Sequence, residues 1–235
     1  MDAAIALRHS ERRWLDADAL RDIAPILVGL VPFAMILGVT MSDAGVHAGV
    51  GVFGSFVLYA GSAQLAALAL MQSGAGLGMI LLSVVIVNAR MLLYGASLEP
   101  RFRNQPRWFK WLGPHFLVDQ SYVVASERAD LQEPARFRRY WLTVALAITT
   151  VWLTTIGATM TLGPVLPKDL PLSFAPIAVF VSLLLPKLLK DSRARRVALV
   201  AALGTGAASL VTPGAALIVG ISAGIGSEFV GKESN

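Results

Sequence analysis

One cation stands inside an apolar run: Arg90, in Val87-Asn88-Ala89-Arg90-Met91-Leu92-Leu93-Tyr94. It lies about eight residues, roughly 12 Å of helix, from the basic end of that run. Ionisable residues at such depth mark a pathway or a buried pair. On a helix Ser83, Arg90, Tyr94 and Ser97 share one face, and Asn88 points roughly the opposite way, towards a neighbouring helix. A guanidinium and a phenol on one face can receive a carboxylate. The same guanidinium can instead pair permanently with an acid such as Asp119, or cap the carbonyls of a broken helix.

Two other places carry polar groups where apolar ones are expected. Ser62 and Gln64 interrupt the long run Val46–Gln72, beside Gly61. A helix starting near Ala63 would aim free N–H groups at an anion; alternatively, both side chains only satisfy the broken backbone. Asp119 and Gln120 sit in a short mixed segment, where a carboxylate can exchange protons or gate, or simply cap a helix and balance Arg90. His9, His47 and His115 are isolated and read as loop or interface residues. Thr149, Thr150, Thr154 and Thr155 are expected to bond within their own helix, and Trp108, Trp111 and Trp141 to anchor interfaces.

Absences narrow the chemistry. There is no cysteine, no phosphate-binding glycine loop ending in Lys-Ser/Thr, no His-Glu-x-x-His and no clustered histidine. No lysine lies at the centre of an apolar run, which disfavours a Ser/Lys dyad. The sequence therefore predicts no enzyme, no metal and no cofactor.

The elements that must position these residues are membrane helices. Of 235 residues 55% are hydrophobic and 15% charged, against about 25% charged in soluble domains. The apolar residues form runs rather than stripes, and about 20 helical residues cross the hydrocarbon core. The expected spans are Ile23–Ser42, interrupted by Pro25, Pro32 and Gly38, then Val46–Gln72, Leu77–Leu98, Tyr140–Leu162, Leu172–Leu189 and Val197–Val230, the last split at Thr212-Pro213-Gly214. A basic loop is expected over Glu99–Trp111. Close helix packing is suggested by the pairs Gly45/Gly49, Gly74/Gly78 and Gly220/Gly224. Residues 1–22 lack an apolar core and are expected to form a cytoplasmic segment rather than a signal peptide; 23–230 are expected to form a single transmembrane domain.

Lys and Arg concentrate in 1–22, 99–111, 127–139 and 187–196, which hold 17 of the 20. The net charge of +5 thus reflects topology rather than nucleic acid, and the positive-inside rule places all four segments in the cytoplasm. Only an even number of crossings between the N-terminus and Arg101 satisfies this. Val46–Gln72 must therefore be a broken re-entrant hairpin or two short spans, and Leu112–Ser126 a cytoplasmic re-entrant or interfacial segment. The fold expected is an all-α polytopic membrane bundle with broken or re-entrant helices.

The stretches Gly29–Gly38, Ala60-Gly61-Ser62-Ala63-Gln64, Val87–Pro100 and Asp119-Gln120 resemble the AzlC/BrnF family, over roughly residues 20–230. In that family a large subunit of about this length exports branched-chain amino acids with a small AzlD/BrnE-type membrane subunit. The resemblance implies an inner-membrane permease in bacteria with that partner. Met91 stands where the family usually has histidine or tyrosine, and Gln120 where an Asp-Glu pair is common; both positions bear on proton coupling and substrate choice. On this reading Ser62, Gln64, Asn88, Arg90 and Tyr94 form the polar end of a substrate site, and Asp119 and Gln120 serve coupling or gating. With no ATP site, a gradient must drive transport. The rival expectation is a non-transporting structural subunit whose conductive path lies in a partner.

Overall fold

The computed structural model describes residues 15–162, 188–189, 191–210 and 216–230. They fall into two compact units, divided after Phe180. Among the described residues every regular element is a helix.

The first unit is built on a pair of long helices. The Asp16 carboxylate accepts from the N–H groups of Asp18 and Ala19 at 3.0 and 3.2 Å and so starts α1, Ala17–Asp43, six residues before the expected span. The helix runs on through Pro25 and Pro32. An interior proline costs about 3 kcal/mol in an isolated helix; here a stripe including Ile23, Ile26, Leu30, Phe33, Leu37 and Met41 is buried against α8, Pro134–Leu162. That helix answers with Phe137, Trp141, Val144, Ile148, Trp152 and Ile156 at helical spacing. Gly38 lets the two backbones approach, since a Cβ there would lie 2.9 Å from Thr159 Cβ. Trp141, expected as an interface anchor, is instead 1% exposed and donates to the Gly113 carbonyl at 2.9 Å.

The run 46–72 is two helices, α2 (Ala48–Leu58) and α3 (Gly61–Gln72), broken at Tyr59–Ala60. Each measures about 17–18 Å, well short of the roughly 30 Å core. His47 caps α2, its Nδ1 accepting from Gly49 N at 3.2 Å. Next come α4 (Leu77–Asn88) and α5 (Arg90–Arg103), one kinked 27-residue rod long and apolar enough to cross a membrane, as are α1 and α8. The expected loop over Glu99–Trp111 is thus mostly helix: α5 continues to Arg103, held by a Glu99–Arg103 pair one turn apart, and α6 takes Arg107–Leu112. A 3₁₀ turn, Gly113–Phe116, leads to α7, Asp119–Ser126.

Contacts between the basic segments fix the routing. Arg128 Nε meets Asp22 at 2.8 Å, Arg101 donates to the Arg128 carbonyl at 3.0 Å, and Arg138 donates to Gln105 Oε1 at 3.1 Å. The start of α1, the end of α5 and the start of α8 therefore share one end of this unit. Helix α1 leaves that end and α4–α5 returns to it, so α2 and α3 enter from the far end and return there. Helix α7 runs back towards the basic end, where Arg101 grips the Ala125 carbonyl. Two broken segments thus approach from opposite ends, and their tips touch: the Tyr59 ring lies 5.4 Å from His115 and 5.5 Å from Phe116.

The second unit contains α9, Ser192–Ser209, started by the Asp191 carboxylate, and α10, Ala216–Val230. Gly220 and Gly224 bring them together, for a Cβ on Gly220 would lie 2.7 Å from the Ala201 carbonyl. The other two glycine pairs act differently. Gly45 and Gly74 hold turns at φ +72° and +75°, and no atom crowds Gly78. The expected span Leu172–Leu189 and the break at Thr212-Pro213-Gly214 lie outside the described residues, apart from 188–189.

Candidate functional site

A cleft lies where the break before α3 and the start of α7 meet the tightened turn at Ala89 in the α4–α5 rod. Its polar wall consists of Ser62, Asn88, Arg90, Asp119 and Gln120, and its apolar wall of Leu30, Phe33, Met91, Val118, Ile148 and Trp152. Local backbone features bring these together. Tyr59 takes the left-handed conformation, φ 46°, that ends α2, an unusual state for an aromatic residue. Its hydroxyl shares a 2.7 Å hydrogen bond with Thr149, which therefore bonds across the bundle and not within its own helix. Gly61 then starts α3 against the Phe33–Trp152 ring pair; a Cβ there would lie 2.5 Å from Trp152 Cη2 and 2.7 Å from Phe33 Cε1. Only glycine fits.

A tightened turn at Ala89 separates α4 from α5. Backbone bonds tighten there, with Ala89 N to Ile86 O at 3.2 Å and Leu92 N to Ala89 O at 3.1 Å. Asn88 lines the same cleft as Arg90. Its Oδ1 is buried without a partner.

The charges pair as one of the two sequence readings foresaw. Arg90 Nη2 lies 2.9 Å from Asp119 Oδ2 and donates to Ser62 Oγ at 2.8 Å. Arg90 Nε is buried with no partner, so the guanidinium fork is only half used. Asp119 Oδ1 accepts from the Tyr94 hydroxyl at 2.9 Å, and the Tyr94 ring stacks on Tyr122 at 4.1 Å. The N-termini of α3 and α7 both open on the cleft. Ala60 offers α3 no side-chain cap, so the α3 dipole adds positive potential to that of Arg90, whereas Ser121 Oγ accepts from Val118 N–H at 3.0 Å and Asp119 stands in the first turn of α7.

The cleft gathers Ser62, Asn88, Arg90, Asp119 and Gln120, and leaves two expected residues outside its wall. Gln64 is 5% exposed and donates to Ser55 Oγ at 3.2 Å, behind the helix break. Tyr94 reaches the site through Asp119. Sequence reasoning missed Tyr59, Phe33, Ile148 and Trp152. A tryptophan at mid-span, rather than at a span end, was the available signal for the last.

A model of the AzlC protein family matches residues 25–166. The chain is 31% identical over 110 residues to an "Uncharacterized membrane protein" of Helicobacter pylori (strain ATCC 700392 / 26695), covering 46% of each chain. It is 28% identical over 145 residues to the "Inner membrane protein YgaZ" of Escherichia coli (strain K12), covering 60% of this chain and 59% of that one. The chain spans about half the length of the curated relatives it matches. No solved structure matches it.

Proposed function

The chain belongs to the AzlC family of membrane proteins, and from there we propose that it is a multi-pass permease of a bacterial inner membrane that exports branched-chain or similar small neutral amino acids. The carrying observation is the cleft itself. It combines a half-engaged arginine, the uncapped N-terminus of α3 and an apolar wall at the meeting point of two re-entrant segments. Irregular backbone at membrane depth persists where it is buried in protein or lines a polar cavity, and transporters place substrate at such breaks. In this reading the substrate carboxylate docks on Arg90, Ser62 and the α3 N-terminus. Its aliphatic side chain lies against Phe33, Ile148 and Trp152, and Asn88 Oδ1 accepts from its ammonium group. Tyr94 and Gln64 support the site from behind, and Asp119 and Gln120 act in coupling or gating.

The four basic segments, the N-terminal one included, lie in the cytoplasm, the chain catalyses no covalent step, and an ion or substrate gradient supplies the driving force. A small AzlD/BrnE-type membrane subunit completes the transporter. Reconstitution tests this directly. Leucine efflux from proteoliposomes should require this chain together with the small subunit, and full flux from this chain alone would remove the partner. Absence of flux in every combination would favour the rival reading, a structural subunit. Orientation is read by Asn104→Cys, an exposed position, which should resist an impermeant thiol reagent in intact cells; labelling there would reverse the topology.

A further inference from the structure

Resting on that reading, we infer that Asp119 occupies the substrate carboxylate's place on Arg90 while the cleft is empty, and that its release makes the site select zwitterions over monoanions. Among the described residues Asp119 is the acid paired with Arg90 and Arg90 the cation paired with Asp119. The pair is partly shielded, with side-chain exposures of 30% and 17%. It is also loosely made: one guanidinium nitrogen serves both Asp119 and Ser62, and Nε has no partner. A planar carboxylate taking the fork on two nitrogens is the better ligand, so an incoming one displaces Asp119.

Charge balance then decides what can bind. A zwitterion brings its own cation, so Arg90 exchanges one carboxylate for another and Asp119 exchanges a guanidinium for an ammonium. Two pairs replace one, and no charge is left alone. The Tyr94 hydroxyl, bound to the other oxygen of Asp119, holds it in place through the exchange. A monoanion with the same side chain would leave Asp119 without a cation in a shielded site, and breaking such a pair is strongly unfavourable. The apolar wall cannot make this distinction, because both ligands present the same side chain.

Binding of leucine and of the 2-oxo acid with the same side chain, 4-methyl-2-oxopentanoate, should be measured on the full chain in detergent, with its small subunit if that is required. The wild type should prefer leucine by about tenfold to a hundredfold, the cost of one uncompensated partly shielded charge. Asp119→Asn should reverse the preference, binding the 2-oxo acid at least about tenfold tighter than the wild type does and leucine more weakly. Equal wild-type affinity for the two ligands overturns the inference, and this stands even if the variant does not fold. So does a folded Asp119→Asn that keeps the preference or loses both ligands in proportion. A wild type that binds neither ligand rejects the permease reading itself, and the inference with it.

Discussion

Among the described residues two sets of arginine–aspartate contacts differ in redundancy. At the basic end Arg128 lies within 3.7 Å of Asp18, Asp22 and Asp130, Arg136 pairs with Asp18 and Asp130, and Arg139 with Asp16. Asp16 doubles as the cap of α1, and Tyr140 donates to Asp22 at 2.8 Å. In the cleft there is one pair, Arg90 with Asp119, and it leaves donors over. A shared network loses little when one member goes; a single pair can change partners. The first arrangement suits a fixed joint between the start of α1 and the start of α8, the second an exchangeable contact.

The largest effect should come from breaking the single pair. Arg90→Lys keeps the charge but not the planar fork. It should accumulate as folded protein and bind substrate about ten- to a hundredfold more weakly, the worth of one charged contact. Unchanged binding in well-folded protein would remove Arg90 from the carboxylate. Loss of folded protein, rescued by also changing Asp119→Asn, would make the pair purely structural, like those at the basic end.

Gly61→Val comes next. It drives a branched side chain into Trp152 and Phe33, and overpacking of this kind costs about 1–3 kcal/mol. Thermal unfolding in detergent should register it, and the shifted α3 N-terminus should weaken binding as well. Unaltered stability would mean that the cleft wall yields more readily than the ring contacts imply.

The shared network should respond less. Arg128→Ala should cost about 1–2 kcal/mol, because Arg136 still serves Asp18 and Asp130, and Arg136→Ala only about 0.5–1 kcal/mol. A loss from Arg128→Ala as large as that of a buried unshared pair would end the contrast. The hydrogen bond to Asp22, followed by the neighbouring acids, raises the Arg128 pKa further above its usual value. A raised basic pKa gives stability that is present below the unfolded value and lost only as pH rises through the folded one. Arg128 therefore contributes fully at every pH at which the protein is handled.

The smallest effect belongs to Gln64→Ala. Removing its bond to Ser55 should cost about 0.5–1.5 kcal/mol of stability and leave binding within about twofold, since Gln64 stands behind the cleft wall. A binding loss comparable to that of Arg90→Lys would return Gln64 to the substrate.

What was legible in the sequence follows from local causes. Apolar runs of 18 or more residues state membrane helices because every backbone group in lipid must be satisfied within its own helix. Arg90 was conspicuous because a cation at that depth must be used or paired. The sequence led to a broken run at 46–72, and the structure has it as two helices, Ala48–Leu58 and Gly61–Gln72. The placement of the break at Tyr59–Ala60, one residue before Gly61, depended on the Thr149 hydroxyl 90 residues away. The tightened turn between Asn88 and Arg90 is marked by no composition rule, since Ala89 is an ordinary helix former. The role of Gly61 depended on two rings from α1 and α8. Sequence alone determined which residues are costly in a membrane, because that cost is paid by each residue against the lipid. Tertiary structure decided which of them meet, because pairing, kinks and close approaches are set by partners far along the chain.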